Sequence, residues 1–370
     1  MKFTCEKNAL VSAISVASRT VAQKSTIPAL EGIYIRAGVK LTLSGYNLET
    51  GITISVDAEI QQTGACIMPS RLFFDIIRKL PGDTVSISVD EKFKVSIRGG
   101  ISSFSITAMS SEDYPELPEV ESDKGISLPQ NELKAMIGGT SFAVSENQAR
   151  PIHTGCLFEV EDSSITVVAV DGYRLALRRW KSEEPIGRTL KFVVPAAALK
   201  EAEKILGDTD EACTFFLGSK HILFTIGEAT LVCRLLEGEF LDWRRVLPQN
   251  QPVKLAVNVA KMTDSIERVG LIISEKLKSP VRCKFGENTA DFRSVSTIGE
   301  AHDVCQIAGD GKDLEIGFNC RYLLDALRAV PDGECMLELS NGLSPIVLTP
   351  CDDTRRYSYM VLPVRLKAGE

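Results

Sequence analysis

Three stretches of this chain repeat one another. The segments PSRLFFDIIRKLPGD, PAAALKEAEKILGDT and NCRYLLDALRAVPDG begin at Pro69, Pro195 and Asn319, roughly 125 residues apart each time. Each closes a β-rich run, spaces its apolar residues as a helix does, and breaks at Leu80-Pro81, Leu206-Gly207 or Val330-Pro331. A second pattern precedes each at a matching distance: Phe3 to Leu10, Leu128 to Leu133, and Val257 to Met262. The period far exceeds a solenoid unit, so each copy can bury a core of its own. No copy carries a catalytic motif.

Three domains suit 370 residues. The stretch MSSEDYPELPEVESDKG, from Met109 to Gly125, is acidic, contains two prolines and lacks apolar periodicity. LPQNQPVK, from Leu247 to Lys254, is a second break. Both read as surface linkers, which sets the domains at residues 1–120, 125–248 and 252–366. Within each, a strand leads into a helix and strands of alternating pattern follow. NALVSAISVAS is helical, with Leu10, Ile14 and Ala17 on one face. GIYIRAG, KLTLSGYN and GITISVDAEI are strands, and TVSISVDEKFKVSIRGGISSFSITAM holds three more with a Gly-Gly turn. Short hairpins make antiparallel sheets. The fold class is therefore α+β: two helices on an antiparallel sheet, three times over.

No apolar run is long enough to span a bilayer, and MKFTCEKNAL lacks a signal-peptide core, so the expected location is the cytoplasm. The ten cysteines form no Cys-x-x-Cys pair and read as reduced core thiols. With only His153, His221 and His302, neither a metal nor a cofactor is expected. The net charge of −7 disfavours nucleic acid unless basic residues gather on one surface.

Several longer words resemble the bacterial DNA polymerase III beta subunit, the sliding-clamp family. They are MKFTCEKNAL, STIPALEGIYI, PSRLFFDIIRKLP, VAVDGYRLAL, EGEFLDWRRVLP, LEIGFNCRYLLDAL and YSYMVLPVRL, in the family's order from residue 1 to residue 366. The resemblance implies three clamp domains per chain, closing into a ring as a head-to-tail dimer around duplex DNA, with helices toward the hole and sheets outside. It implies a processivity factor rather than an enzyme. The implied partners are sequence-independent double-stranded DNA, the replicative polymerase alpha subunit, the clamp loader, other polymerases and repair proteins, and a second copy of the chain.

The resemblance also assigns residues. A peptide-binding cleft takes Gly172, Tyr173, Arg174, Leu175, Leu241, Arg245, Val246, Met360 and Leu362. A second shelf takes Arg150, Asn319, Tyr322, Pro363, Val364 and Arg365. There a glutamine-led segment ending in apolar or aromatic anchors would dock, its anchors on apolar floors and its backbone oriented by polar side chains. DNA contact is implied at Lys24, Arg71, Arg78, Lys79, Asn147 and Gln148, with Arg321 and Arg328 on the third helix. Ring closure is implied at Phe104, Ile106, Ile272 and Ile273. Val170, His153 and the tail Lys367–Glu370 depart from the family and bear on peptide preference.

Taken alone, these residues have plainer readings. Lys24 is an ordinary surface lysine, Asp171-Gly172 a hairpin turn, and Phe104 and Ile106 core. Two rival classes remain open at this point: an enzyme using Asp171, Arg174 and His153, and a scaffold of tandem β modules.

Overall fold

The computed structural model describes residues 1–273, 279–352 and 354–366. Ser274 and Glu275, beside the expected closure pair, and the tail Lys367–Glu370 lie outside the described residues. The helices are α1 (Lys7–Ala17), α2 (Ser70–Lys79), α3 (Gln130–Gly138), α4 (Ala196–Ile205), the single turn α5 (Trp243–Val246), α6 (Val259–Gly270) and α7 (Cys320–Arg328). Their order is that of the sequence repeat, with α2, α4 and α7 on the three longer words and α1, α3 and α6 on the shorter ones.

Local chemistry accounts for these helices. Leu10, Ala13, Ile14 and Ala17 share the buried face of α1. Phe73, Ile76 and Ile77 do so on α2, whose last residues, Arg78 and Lys79, face solvent. Leu80 is extended because Pro81 follows, and α2 stops there. Asn258 and Asn319 cap α6 and α7, each side chain accepting a backbone N–H from three residues on, Lys261 and Tyr322 respectively.

Every strand pair is antiparallel. Two compact units divide the chain: Met1–Lys134 with Glu201–Leu235, and Ala135–Lys200 with Leu236–Glu370. The first holds a five-stranded sheet that ends on the edge strand Ser102–Thr107. It also holds an eight-stranded sheet, in which Ala229–Arg234 pairs with Thr50–Val56. The second unit holds a ten-stranded sheet, in which Arg174–Lys181 pairs with the final strand, Tyr357–Val361.

The structure differs from the sequence expectation in two places. The expected strand GITISVDAEI is two strands, Thr50–Val56 and Ala58–Gln62. The chain changes sheets at Asp57, so one half pairs with Ala229–Arg234 and the other with Lys2–Glu6. The repeat copies are also not all self-contained. The first buries a cluster of its own, from Met1 to Ala108. Another cluster mixes Leu157, Val168 and Leu175 with Val347 and Met360. Backbone pairing across the copies brings those side chains onto one face, which a repeat pattern alone does not reveal.

The stretch after Met109 is packed down rather than loose. Tyr114 stacks on Tyr34 at 5.0 Å between ring centres, and its hydroxyl donates to the Ser44 carbonyl at 3.4 Å. The ten cysteines are free, and eight are buried. Burial pushes the Cys66 and Cys213 thiols up to about 12, which leaves them unreactive at neutral pH.

Candidate functional site

The candidate cleft lies wholly within the second unit. Its organising element is the turn between the strands Ser164–Val170 and Arg174–Lys181. Gly172 sits at φ +92°, where a side chain would be strained although nothing crowds it. Asp171 shapes the turn. Its Oδ1 accepts the backbone N–H groups of Tyr173 and Arg174 at 2.8 and 3.0 Å. Its Oδ2 accepts Arg174 Nε at 2.9 Å.

Arg174 is 7% exposed. Its second branch donates to Asp325 Oδ2 of α7 at 2.6 Å. The guanidinium carbon lies 4.4 Å from the Tyr322 ring centre and 5.4 Å from that of Phe142. The family resemblance gives Arg174 a role in orienting peptide backbone. In the structure its Nε and one Nη are bound to two carboxylates, and the residue lines the cavity. Tyr173 is exposed and stacks on Tyr322 at 6.0 Å. The Tyr173 carbonyl accepts Leu362 N–H at 2.8 Å, which ties the final strand to the turn.

A cavity of about 680 Å³ opens here. Of the expected cleft residues, Arg150, Gly172, Tyr173, Arg174, Leu241 and Tyr322 line it. His153, Val170 and Arg321 line it as well, as does Asn147, which the family resemblance assigns to DNA contact. His153 packs edge-on against Phe240, ring centres 5.3 Å apart. Burial and then the neighbouring Arg150 charge hold its imidazole below the ordinary value, so it is neutral at neutral pH.

The remaining cleft candidates are placed differently. Leu175 and Met360 are buried in the apolar cluster with Val170, Phe240 and Trp243, and Val246 packs against that cluster. They form a floor beneath the surface. Leu362 is 36% exposed. Arg245 is exposed and pairs with Asp242 at 3.0 Å. Asn319 Oδ1 caps α7 by accepting the Tyr322 N–H. Pro363, Val364 and Arg365 run alongside Gly317, whose carbonyl accepts Val364 N–H at 2.8 Å. Phe142 and Asp325 complete the site, yet nothing in the sequence marks them. Asp325 is 151 positions from Arg174 and reads there only as a helix charge.

The other expected sets are spread out. Lys24, Arg71, Arg78 and Lys79 are exposed on the first unit, and Asn147 and Gln148 on the second. Part of the helix charge is internally matched. Arg78 pairs with Asp75 at 3.4 Å, and Arg328 with Glu267 at 2.7 Å. Phe104 is 42% exposed on its edge strand, whereas Ile106 packs on the core. Ile272 and Ile273 are half-buried just after α6.

Comparison with known proteins gives one consistent answer. Models of the N-terminal, central and C-terminal domains of the DNA polymerase III beta subunit match residues 1–118, 127–242 and 244–365. A beta sliding clamp from Staphylococcus epidermidis is 32% identical over 99% of both chains. The solved DNA polymerase sliding clamp from Bacillus subtilis superposes with a TM-score of 0.93 at 30% identity, covering 99% of this chain and all of that one. The DNA polymerase III subunit beta from Pseudomonas aeruginosa gives 0.92 at 28% identity, with the same coverage.

Proposed function

This chain belongs to the DNA polymerase III beta subunit family, and from that premise we propose that it encircles duplex DNA and tethers the replicative polymerase through the Asp171-Gly172 cleft. It is a non-catalytic processivity factor. Its three domains, residues 1–120, 125–248 and 252–366, close as a head-to-tail dimer through Phe104 and Ile106 on one side and Ile272 and Ile273 on the other. Lys24, Arg71, Arg78, Lys79, Asn147 and Gln148 meet phosphates without reading sequence. A replication subunit works beside the bacterial chromosome, in the cytoplasm. Among the described residues no helix is long and apolar enough to cross a membrane.

The observation that carries the peptide reading is the cavity itself. It sets the exposed aromatic ring of Tyr173 and the apolar Leu241 beside Arg150. An apolar seat with a polar rim suits a short extended segment with one or two anchors. The same geometry speaks against the enzyme reading. Asp171 already accepts three N–H groups, and Arg174 is held between two carboxylates, so neither is available as a base or an electrophile.

Topology tests the ring. After loading by its partner ATPase onto nicked circular DNA, the protein should stay bound and should leave when the circle is cut. Equal retention on linear and circular DNA, or strong preference for one sequence, would point to ordinary groove binding.

The cleft makes a separate prediction. Leu362→Asp puts a carboxylate beside Tyr173, whose carbonyl accepts the Leu362 N–H, and should weaken a clamp-binding peptide by about 2 kcal/mol from a roughly micromolar starting affinity. A fluorescent-peptide titration measures this. Unchanged affinity would move the anchor seat elsewhere.

A further inference from the structure

One carboxylate of the second unit, Glu159, is buried. Glu159, on the strand Gly155–Glu161, keeps only 10% of its side chain exposed. Its Oε2 accepts Trp243 Nε1–H at 3.0 Å and Arg244 at 2.7 Å, and its Oε1 lies 3.3 Å from Lys191 Nζ. Arg244 also covers the Trp243 indole, 4.2 Å from the ring centre, and reaches Glu161 at 3.1 Å.

These contacts fall on a strap, residues 236–247, that reaches the cavity at Leu241. The strap is tied at its start, where Leu236 N–H donates to the Val193 carbonyl at 3.0 Å. Phe240 and Trp243 are buried in the apolar cluster, and Leu241 between them faces the cavity. Val246 packs on the same cluster one turn later. Apolar burial holds the two aromatic rings down, but it is non-directional and tolerates sliding. The bonds to Glu159 are directional and charge-assisted, so they define where the strap sits.

We infer that Glu159 is a positioning residue of the cleft: through Trp243 and Arg244 it fixes the strap that carries Leu241 and Val246, and so sets the apolar seat for a peptide anchor. The inference rests on the peptide-binding reading above and deepens it. The charge state is suitable. Burial pushes the Glu159 carboxyl upward, but the Trp243 and Arg244 hydrogen bonds outweigh it and hold the group below the ordinary carboxylate range. The latch is therefore intact at neutral pH and is lost only as pH falls through that lowered value.

Two fluorescent peptides test it on the full-length protein. One is glutamine-led and ends in leucine and phenylalanine; the other has both end residues replaced by alanine. Glu159→Ala should weaken the anchored peptide about tenfold, equivalent to about 1.4 kcal/mol. Glu159→Gln keeps an acceptor for Trp243 and should weaken it about threefold. Binding of the alanine peptide should change less than about twofold in either variant, since it does not use the seat. Glu161→Gln, altering the exposed partner of Arg244, should leave both peptides unchanged. If the parent protein itself does not distinguish the peptides, the cleft reading fails and takes the inference with it. If the parent distinguishes them but both Glu159 variants match it, only the positioning role is overturned. Equal weakening of both peptides would mean general destabilisation and would also overturn it. Should Glu159→Ala not fold, the Gln variant decides.

Discussion

Arg174→Ala is expected to lower the unfolding free energy by about 3–5 kcal/mol, the range for breaking a buried ion pair from one side. The substitution removes the cation between Asp171 and Asp325 and leaves Asp325 without the 2.6 Å donor it now holds. It also takes away the plane that lies against the Tyr322 and Phe142 rings. Peptide affinity should fall with it, because Tyr322 and Tyr173 lose their support. Arg174→Lys should recover only part of the loss: an ammonium is a point charge and cannot place two donors on two carboxylates in fork geometry. Arg174→Met combined with Asp325→Leu should recover more stability than either single change, since it removes that pair together and leaves Asp171 still accepting two backbone N–H groups. Urea unfolding measures these differences as a change in midpoint at constant slope. A midpoint for Arg174→Ala within about 0.5 kcal/mol of the parent, the scatter of a neutral surface change, would mean that the ion pairs do not form.

The repeat made most of the fold legible. Helical spacing in the three long words placed α2, α4 and α7, because each buries one apolar face and stops at a proline, a glycine or a turn. What the pattern did not carry is pairing between copies. Nothing in RLALRRWK says that its partner is YSYMV, and it is that ladder which brings Leu175 opposite Met360. The cleft was legible to the same depth. The turn chemistry of Asp171-Gly172 is local, so it could be read directly. The residues that meet it come from family resemblance; once placed, Arg174 binds two carboxylates and Asn319 Oδ1 caps α7, while Leu175 and Met360 lie in the buried cluster. Phe142, Asp325 and Glu159 carry no sequence signal, since each acts through a partner distant in the chain. Usable charge was the property least legible in the sequence. A row of arginines on a helix shows that the face is solvated, not that its charge is available, and Arg78 and Arg328 meet acids nearby.

Phe104→Asp is expected to raise the dimer dissociation constant about a hundredfold, equivalent to about 2.7 kcal/mol. Ser102–Thr107 is an edge strand, paired on one side only within its sheet. A free edge offers unmatched N–H and C=O groups to another chain. Ile106 turns back onto the core, so substituting it would confound folding with assembly. Phe104 does not have that drawback. It is 42% exposed, which makes it a cost to an isolated chain and an asset to one that pairs. An aspartate there should therefore leave the fold intact while opposing burial of the edge, because the carboxylate would lose its water on closure. Ile272→Ala with Ile273→Ala should act on the opposite side of the proposed closure, each lost side chain removing roughly 1–3 kcal/mol of burial. Sedimentation at micromolar concentration should find the parent near twice the 40.4 kDa chain mass and either variant shifted toward a single chain. Both variants should still bind the anchored peptide, since the cleft is assembled from residues 142–175, 241–246 and 319–362 and includes neither the edge strand nor the isoleucine pair. A parent that remains a single chain at that concentration would remove the ring. A Phe104→Asp variant that stays fully dimeric would leave the ring standing and move its closure away from this strand.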